Sequence, residues 1–124
     1  MDEAEKIKII AEHYGYDSQS RQCIEEMAEL TQAINKWWRV CGNGQRTEKS
    51  IAECRDNLVE EIADVQIMLW QIEYLLLSTP EVNQMITQKL NRQLERIKRK
   101  VRKVRRTPSS SSARKMVVLP ILVT

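Results

Sequence analysis

A chain of 124 residues, 42% of them hydrophobic, suffices for one domain with a modest core. With no Phe, three Gly and three Pro it is poorly suited to a many-stranded sheet, and no apolar run approaches the ~20 residues that cross a membrane. The net charge of +3 hides an asymmetry: residues 89–106 carry ten Lys/Arg and one Glu, whereas residues 1–88 carry eight Lys/Arg and sixteen Asp/Glu.

Taken in order, the chain predicts four helices and a tail. The first runs from about Asp2 to His13 and stops near Gly15. Its acidic, amphipathic opening, "MDEAEKIKII", does not resemble a secretion signal, and a cytoplasmic protein without membrane contact is expected. The second starts after Asp17 or Ser18 and runs to about Val40, where "CGNG" breaks it. Ser50 and Glu53 have capping-box spacing, so the third opens there and runs to about Leu77. In "STPE", Thr79 can cap and Pro80 suits a first helical position, so the fourth continues to about Arg106. "TPSSSSARK" is a polar linker, and the β-branched end "MVVLPILVT" predicts either a strand added to a partner or a sticky terminus. The division expected is a helical domain, 1–106, and a linker with an apolar tail, 107–124. Short connections favour an all-α, antiparallel four-helix bundle. Cys23, Cys41 and Cys54 lack metal-ligand spacing and are expected as reduced thiols. His13, the only histidine, is expected at the surface.

Two acidic stretches stand out: "CIEEMAEL" over 23–30 and "VEEIADVQIMLW" over 59–70. Glu29 lies 13 residues before Gly42 and Glu61 lies 11 residues after Ser50. At ~1.5 Å rise per residue, a hairpin brings the two clusters to one level. On the second helix the main apolar stripe is Ile24, Met27, Thr31, Ile34 and Trp38, with Trp38 expected in the core. Glu26 flanks that stripe on the side of Leu30 and Trp37, and Glu26 and Glu29 are neighbours one turn apart. On the third helix the stripe is Leu58, Ile62, Val65, Leu69, Ile72 and Leu76. Asn57, Glu61, Asp64, Met68 and Leu75 form a second line, and Ala63, Ile67, Trp70 and Tyr74 a third side. A helix apolar on several sides is largely buried, and no Lys or Arg lies between residues 56 and 88. Facing carboxylates there are costly unless a divalent cation joins them, and an all-oxygen donor set suits Mg²⁺, with Mn²⁺ able to substitute. A solvated acidic face, or ion pairs with the basic fourth helix, are the competing readings.

"EEMAEL" followed by "EEIADV" resembles the EExxE…ExxD signature of the MazG-like all-α nucleoside triphosphate pyrophosphatases, the group that includes dimeric dUTPases. The resemblance covers roughly residues 17–100. It implies an oligomeric helical bundle, a dimer or larger, that cleaves a nucleoside triphosphate to the monophosphate and pyrophosphate with Mg²⁺. By position, it implies Glu26, Glu29, Glu61 and Asp64 as metal ligands, with Glu25 either supporting those ligands from behind or activating the water. "QKLNRQ" resembles the family's basic and amide residues after ExxD, which implies Lys89, Asn91 and Arg92 at the substrate. The tail matches nothing in the family pattern.

The chemistry is coherent with these residues. An acidic pocket holds a triphosphate only through metal ions, which also activate water, while Lys and Arg neutralise the leaving pyrophosphate. There is no GxxxxGK[ST] P-loop. Trp37 lies about three turns beyond Glu26, and either stacks a base or packs at a subunit interface. The alternative function is a nucleic-acid-binding or protein-interaction module built on the basic fourth helix. Phosphate backbones would accept that helix, but it has no aromatic residue for stacking on single strands.

Overall fold

The computed structural model describes residues 1–43 and 50–106. Among them every regular element is helical: α1, Glu3–Trp38; a π-helical turn, Arg39–Asn43; α2, Ile51–Leu75; and α3, Thr79–Arg106. None of these helices is long and apolar enough to cross a membrane. The linker and tail expected at 107–124 lie outside the described residues.

Local chemistry sets the boundaries. Asp2 caps α1, its Oδ1 accepting from the Glu5 N–H at 2.8 Å, and Glu3 and Glu5 put negative charge on the first turn where the helix dipole favours it. The break expected near Gly15 occurs inside α1. Gly15 has φ 79° and ψ 170°, which interrupt the helical dihedrals and leave two helical segments meeting at a kink. The second segment ends in the π-turn, where Gly42 adopts φ 99° and the Asn43 side chain donates to the Trp38 carbonyl at 3.2 Å. Ser50 caps α2 as expected, its Oγ accepting from the Glu53 N–H at 3.2 Å.

The α2 end had no glycine to announce it. The Leu77 N–H donates to the Tyr74 carbonyl and the Ser78 N–H to the Glu73 carbonyl, both at 3.0 Å. That is a Schellman closure with Leu77 at φ 53° in the left-handed position. Its companion is a correction by one residue: the Ser78 carbonyl, not that of Thr79, receives the first α3 bond, from the Val82 N–H at 2.9 Å.

The chain divides into two compact units, Met1–Asn83 and Gln84 onward. In the first, α1 and α2 pack as an antiparallel hairpin. Gln19 meets Gln71 and Glu12 accepts from the Tyr74 hydroxyl, so rising numbers on α1 meet falling numbers on α2. The buried residues are Ala11, Gln19, Ser20, Cys23 and Ala33 on α1, with Cys54, Val65, Met68 and Gln71 on α2.

This seam corrects the expected core. It follows 19–23–26–30–33–37 on α1, not the line through Ile24 and Ile34. Ile24, Met27, Ile34, Ile62 and Leu69 are exposed on the chain, and Trp38, expected in the core, is 56% exposed. The physical reason is close approach. Ala11, Cys23, Ala33 and Cys54 are small, so the two backbones come together along them, while the bulkier branched side chains are turned outward. On α2 the expected secondary line through Glu61, Asp64 and Met68 is the one that meets α1.

Candidate metal centre

The seam places carboxylates where aliphatic side chains would normally sit. Glu26 lies between Cys23 and Ala33 on the contact line of α1 and is half-buried, as are Glu61 and Asp64 on α2, whereas Glu25, Glu29 and Glu60 are exposed. One oxygen from each of Glu26, Glu29 and Glu61 lies within 4.8 Å of the other two. Two residues one turn apart on α1 and one on α2 thus converge, at the level expected from their distances to the turn. Asp64 is outside that trio, but near enough for its charge to act on Glu61.

The electrostatics are those of unneutralised acids. The Glu29 pKa is raised above the ordinary carboxylate value, first by Glu26, then by Glu61, burial and Glu25. The Glu61 pKa is raised first by burial, then by Asp64, Glu26 and Glu60, while a hydrogen bond with Glu29 works in the opposite direction. Two oxygens are also orphaned: Glu26 Oε2 and Glu61 Oε2 are buried without a hydrogen-bond partner. A carboxylate oxygen removed from water without a donor is costly. The other Glu26 oxygen accepts from Gln22 Nε2 at 2.8 Å. Sequence reasoning passed over Gln22, although residues four apart on a helix are neighbours within side-chain reach.

This donor set fits a hard divalent cation. It is oxygen only, and two of its members carry a buried oxygen without a hydrogen-bond partner. Adjacent oxygens on an octahedral Mg²⁺ at ~2.0–2.1 Å stand about 2.9 Å apart, so three oxygens within 4.8 Å of one another would draw together around the ion. Thiols do not compete: Cys23 and Cys54 are buried, and burial pushes the Cys23 thiol pKa up.

The other expected residues are distributed differently. Trp37 is half-buried on the same line of α1 as Glu26 and Ala33. Lys89, Asn91 and Arg92 have exposed side chains on α3, in the second unit. His13 is exposed and packs edge-on against Tyr14, with centroids 4.7 Å apart.

A scan against protein-family models finds no match, and searches of curated proteins and of solved structures find no significant relative.

Proposed function

We propose that the chain is a Mg²⁺-dependent nucleoside triphosphate pyrophosphohydrolase that releases the nucleoside monophosphate and pyrophosphate. The observation that carries this reading is the trio Glu26, Glu29 and Glu61, its oxygens within 4.8 Å and two of its carboxylates holding a buried, unpartnered oxygen. The EExxE…ExxD pattern of these residues is its second support. In this reading Glu26, Glu29, Glu61 and Asp64 hold the metal. Mg²⁺ held there would supply positive charge for the triphosphate and lower the pKa of a water. Glu25 takes the proton as water oxygen joins the α-phosphorus and the α–β anhydride bond breaks. Lys89, Asn91 and Arg92 meet the charge of the departing pyrophosphate, and Trp37 offers a ring to the base.

The same reading includes an antiparallel four-helix bundle and assembly into at least a homodimer. Its support is the outward line of Ile24, Met27, Ile34 and Trp38 on α1 and of Val59, Ile62 and Leu69 on α2. Large apolar side chains left exposed along one line are a mark of surfaces that meet another chain.

The deciding experiment incubates the full chain with a panel of ribo- and deoxyribonucleoside triphosphates and Mg²⁺. Pyrophosphate and monophosphate in equal amounts are expected. Orthophosphate as the only inorganic product, with no pyrophosphatase added, rules out attack at the α-phosphate.

A further inference from the structure

Glu26 does not use its two oxygens alike. Gln22 precedes it by four residues on α1, so the two side chains are neighbours one turn apart. Gln22 is exposed, and its Nε2 donates to Glu26 Oε1 at 2.8 Å. Glu26 Oε2, by contrast, is buried without a hydrogen-bond partner. The carboxylate therefore straddles the rim of the α1–α2 seam. One oxygen is tied to an amide on the solvent side, and the other is carried inside. Glu29 and Glu61 each place an oxygen within 4.8 Å of an oxygen of Glu26. A glutamate side chain has much rotamer freedom to lose, and a hydrogen bond at one oxygen removes part of it before any ligand arrives.

The donor's chemistry matters as much as its place. A lysine or arginine at position 22 would also hold Glu26, but it would offset the carboxylate charge and repel a cation. A neutral amide orients the carboxylate and leaves that charge whole.

We infer that Gln22 is a positioning residue of the proposed metal centre: by holding Glu26 Oε1 it presents Glu26 to the cation through a single oxygen. The inference rests on the metal-binding reading of the trio and deepens it, because it names what the site selects. Ca²⁺ gathers about six to eight oxygens in a flexible shell and takes many carboxylates through both oxygens. Mg²⁺ is smaller and holds to a near-octahedral shell, in which a carboxylate supplying one oxygen is sufficient. Tying up Oε1 thus costs a Ca²⁺ site more than a Mg²⁺ site, and Gln22 biases the trio toward the smaller ion.

The test measures metal binding by the full chain without nucleotide. Mn²⁺ is titrated at neutral pH, free Mn²⁺ is counted by electron paramagnetic resonance, and Mg²⁺ and Ca²⁺ are then used to displace it. Gln22→Met keeps the length of the side chain and removes the amide. It is expected to weaken Mn²⁺ binding about tenfold, the lower end of the range for groups behind a metal's ligands. The ratio of Mg²⁺ to Ca²⁺ affinity should fall at least about threefold as Oε1 becomes available to the larger ion. Gln32→Met, at another exposed glutamine of the same helix, should change neither quantity. Unchanged Mn²⁺ affinity in Gln22→Met, where Glu61→Gln abolishes binding, overturns the inference and leaves the metal centre standing. Equal weakening for Mg²⁺ and Ca²⁺ also overturns it, because a merely structural loss moves the two together. A wild type that does not bind Mn²⁺ overturns the inference and the metal centre alike.

Discussion

Gln19 and Gln71 meet inside the α1–α2 seam, where Gln19 Nε2 donates to Gln71 Oε1 at 2.6 Å. Both side chains are buried, and Gln71, at 2% exposure, is the largest fully buried one. The Gln71 amide then turns toward Met68 Sδ at 3.6 Å, a weak acceptor. The pair holds the two helices in a register that also sets Glu26 and Glu29 opposite Glu61. Gln71→Ala removes one partner and leaves the other amide dry, so a loss of about 1–3 kcal/mol in urea unfolding is expected. Gln19→Leu with Gln71→Leu strands no polar group and should cost less than the single change, a difference that a double-mutant cycle reads directly.

Raised carboxyl pKa values make the metal-free chain sensitive to pH. Glu29 and Glu61 hold protons more tightly folded than unfolded, so the folded state binds more protons above the ordinary carboxyl value of about 4.3. Stability therefore falls as pH rises through that value toward the raised folded ones, and the penalty is fully present above them. The wild type without metal should lose melting temperature between pH 5 and pH 7.5 relative to Glu61→Gln. Added Mg²⁺ should raise the wild-type value at pH 7.5 and leave Glu61→Gln little changed. A flat wild-type profile that ignores Mg²⁺ would contradict a coupled carboxylate site.

Turnover separates the acids from the basic helix. Glu61→Gln keeps the side-chain size while removing a ligand charge. Its loss of rate should exceed the ~10–100-fold typical of changes behind a metal's direct ligands, with helicity by circular dichroism unchanged. Replacing Arg99, Lys100, Arg102 and Lys103 together by Gln should leave the rate within about threefold, since none is assigned to substrate or metal. The reverse result, an active Glu61→Gln beside an inactive quadruple variant, would invert the assignment.

Leu77 offers a stability test far from any chemistry. A leucine at φ 53° occupies a conformation that costs an L-residue roughly 1–2 kcal/mol, and its side chain is 80% exposed, so little packing offsets the strain. Leu77→Gly should stabilise the chain by about 1 kcal/mol in chemical denaturation. Loss of stability would mean that the side chain makes contacts beyond those of the isolated chain.

Assembly is checked at the outward line of α1. Ile24→Glu and Ile34→Glu place charge on residues that are exposed in the chain by itself, so a monomeric protein would tolerate them. Light scattering should give at least a dimer for the wild type and a smaller species for the double variant. A monomeric wild type ends this part of the proposal.

Punctuation was the most legible layer of the sequence. Ser50 with Glu53, Gly15 and the stretch after Val40 each marked a boundary because capping and left-handed geometry are local demands. The level of the two acidic clusters was also readable, since helical rise converts residue counts into distance. The identity of the seam was not. Hydrophobicity ranks Ile24, Ile34 and Trp38 above Cys23 and Ala33, but hairpin packing here follows the small residues that let the backbones approach. The Gln19–Gln71 bond escaped for the same reason, because a buried amide is recognisable only once its partner across the hairpin is known. The Schellman closure at Leu77 carried no glycine to announce it.

The kink at Gly15 has a consequence for motion. Helical order propagates residue by residue through its hydrogen-bond ladder, and fraying spreads inward from an end by the same route. With Gly15 at φ 79° and ψ 170°, that ladder is interrupted, and the first segment is held to α2 by contacts of its own, among them the Tyr74 hydroxyl bond to Glu12. Opening that begins at Met1 is therefore expected to stop at Gly15. The turns that carry Glu26 and Glu29 form a separate cooperative block, insulated from the end of the chain, and their amides should exchange with solvent more slowly than those before the kink.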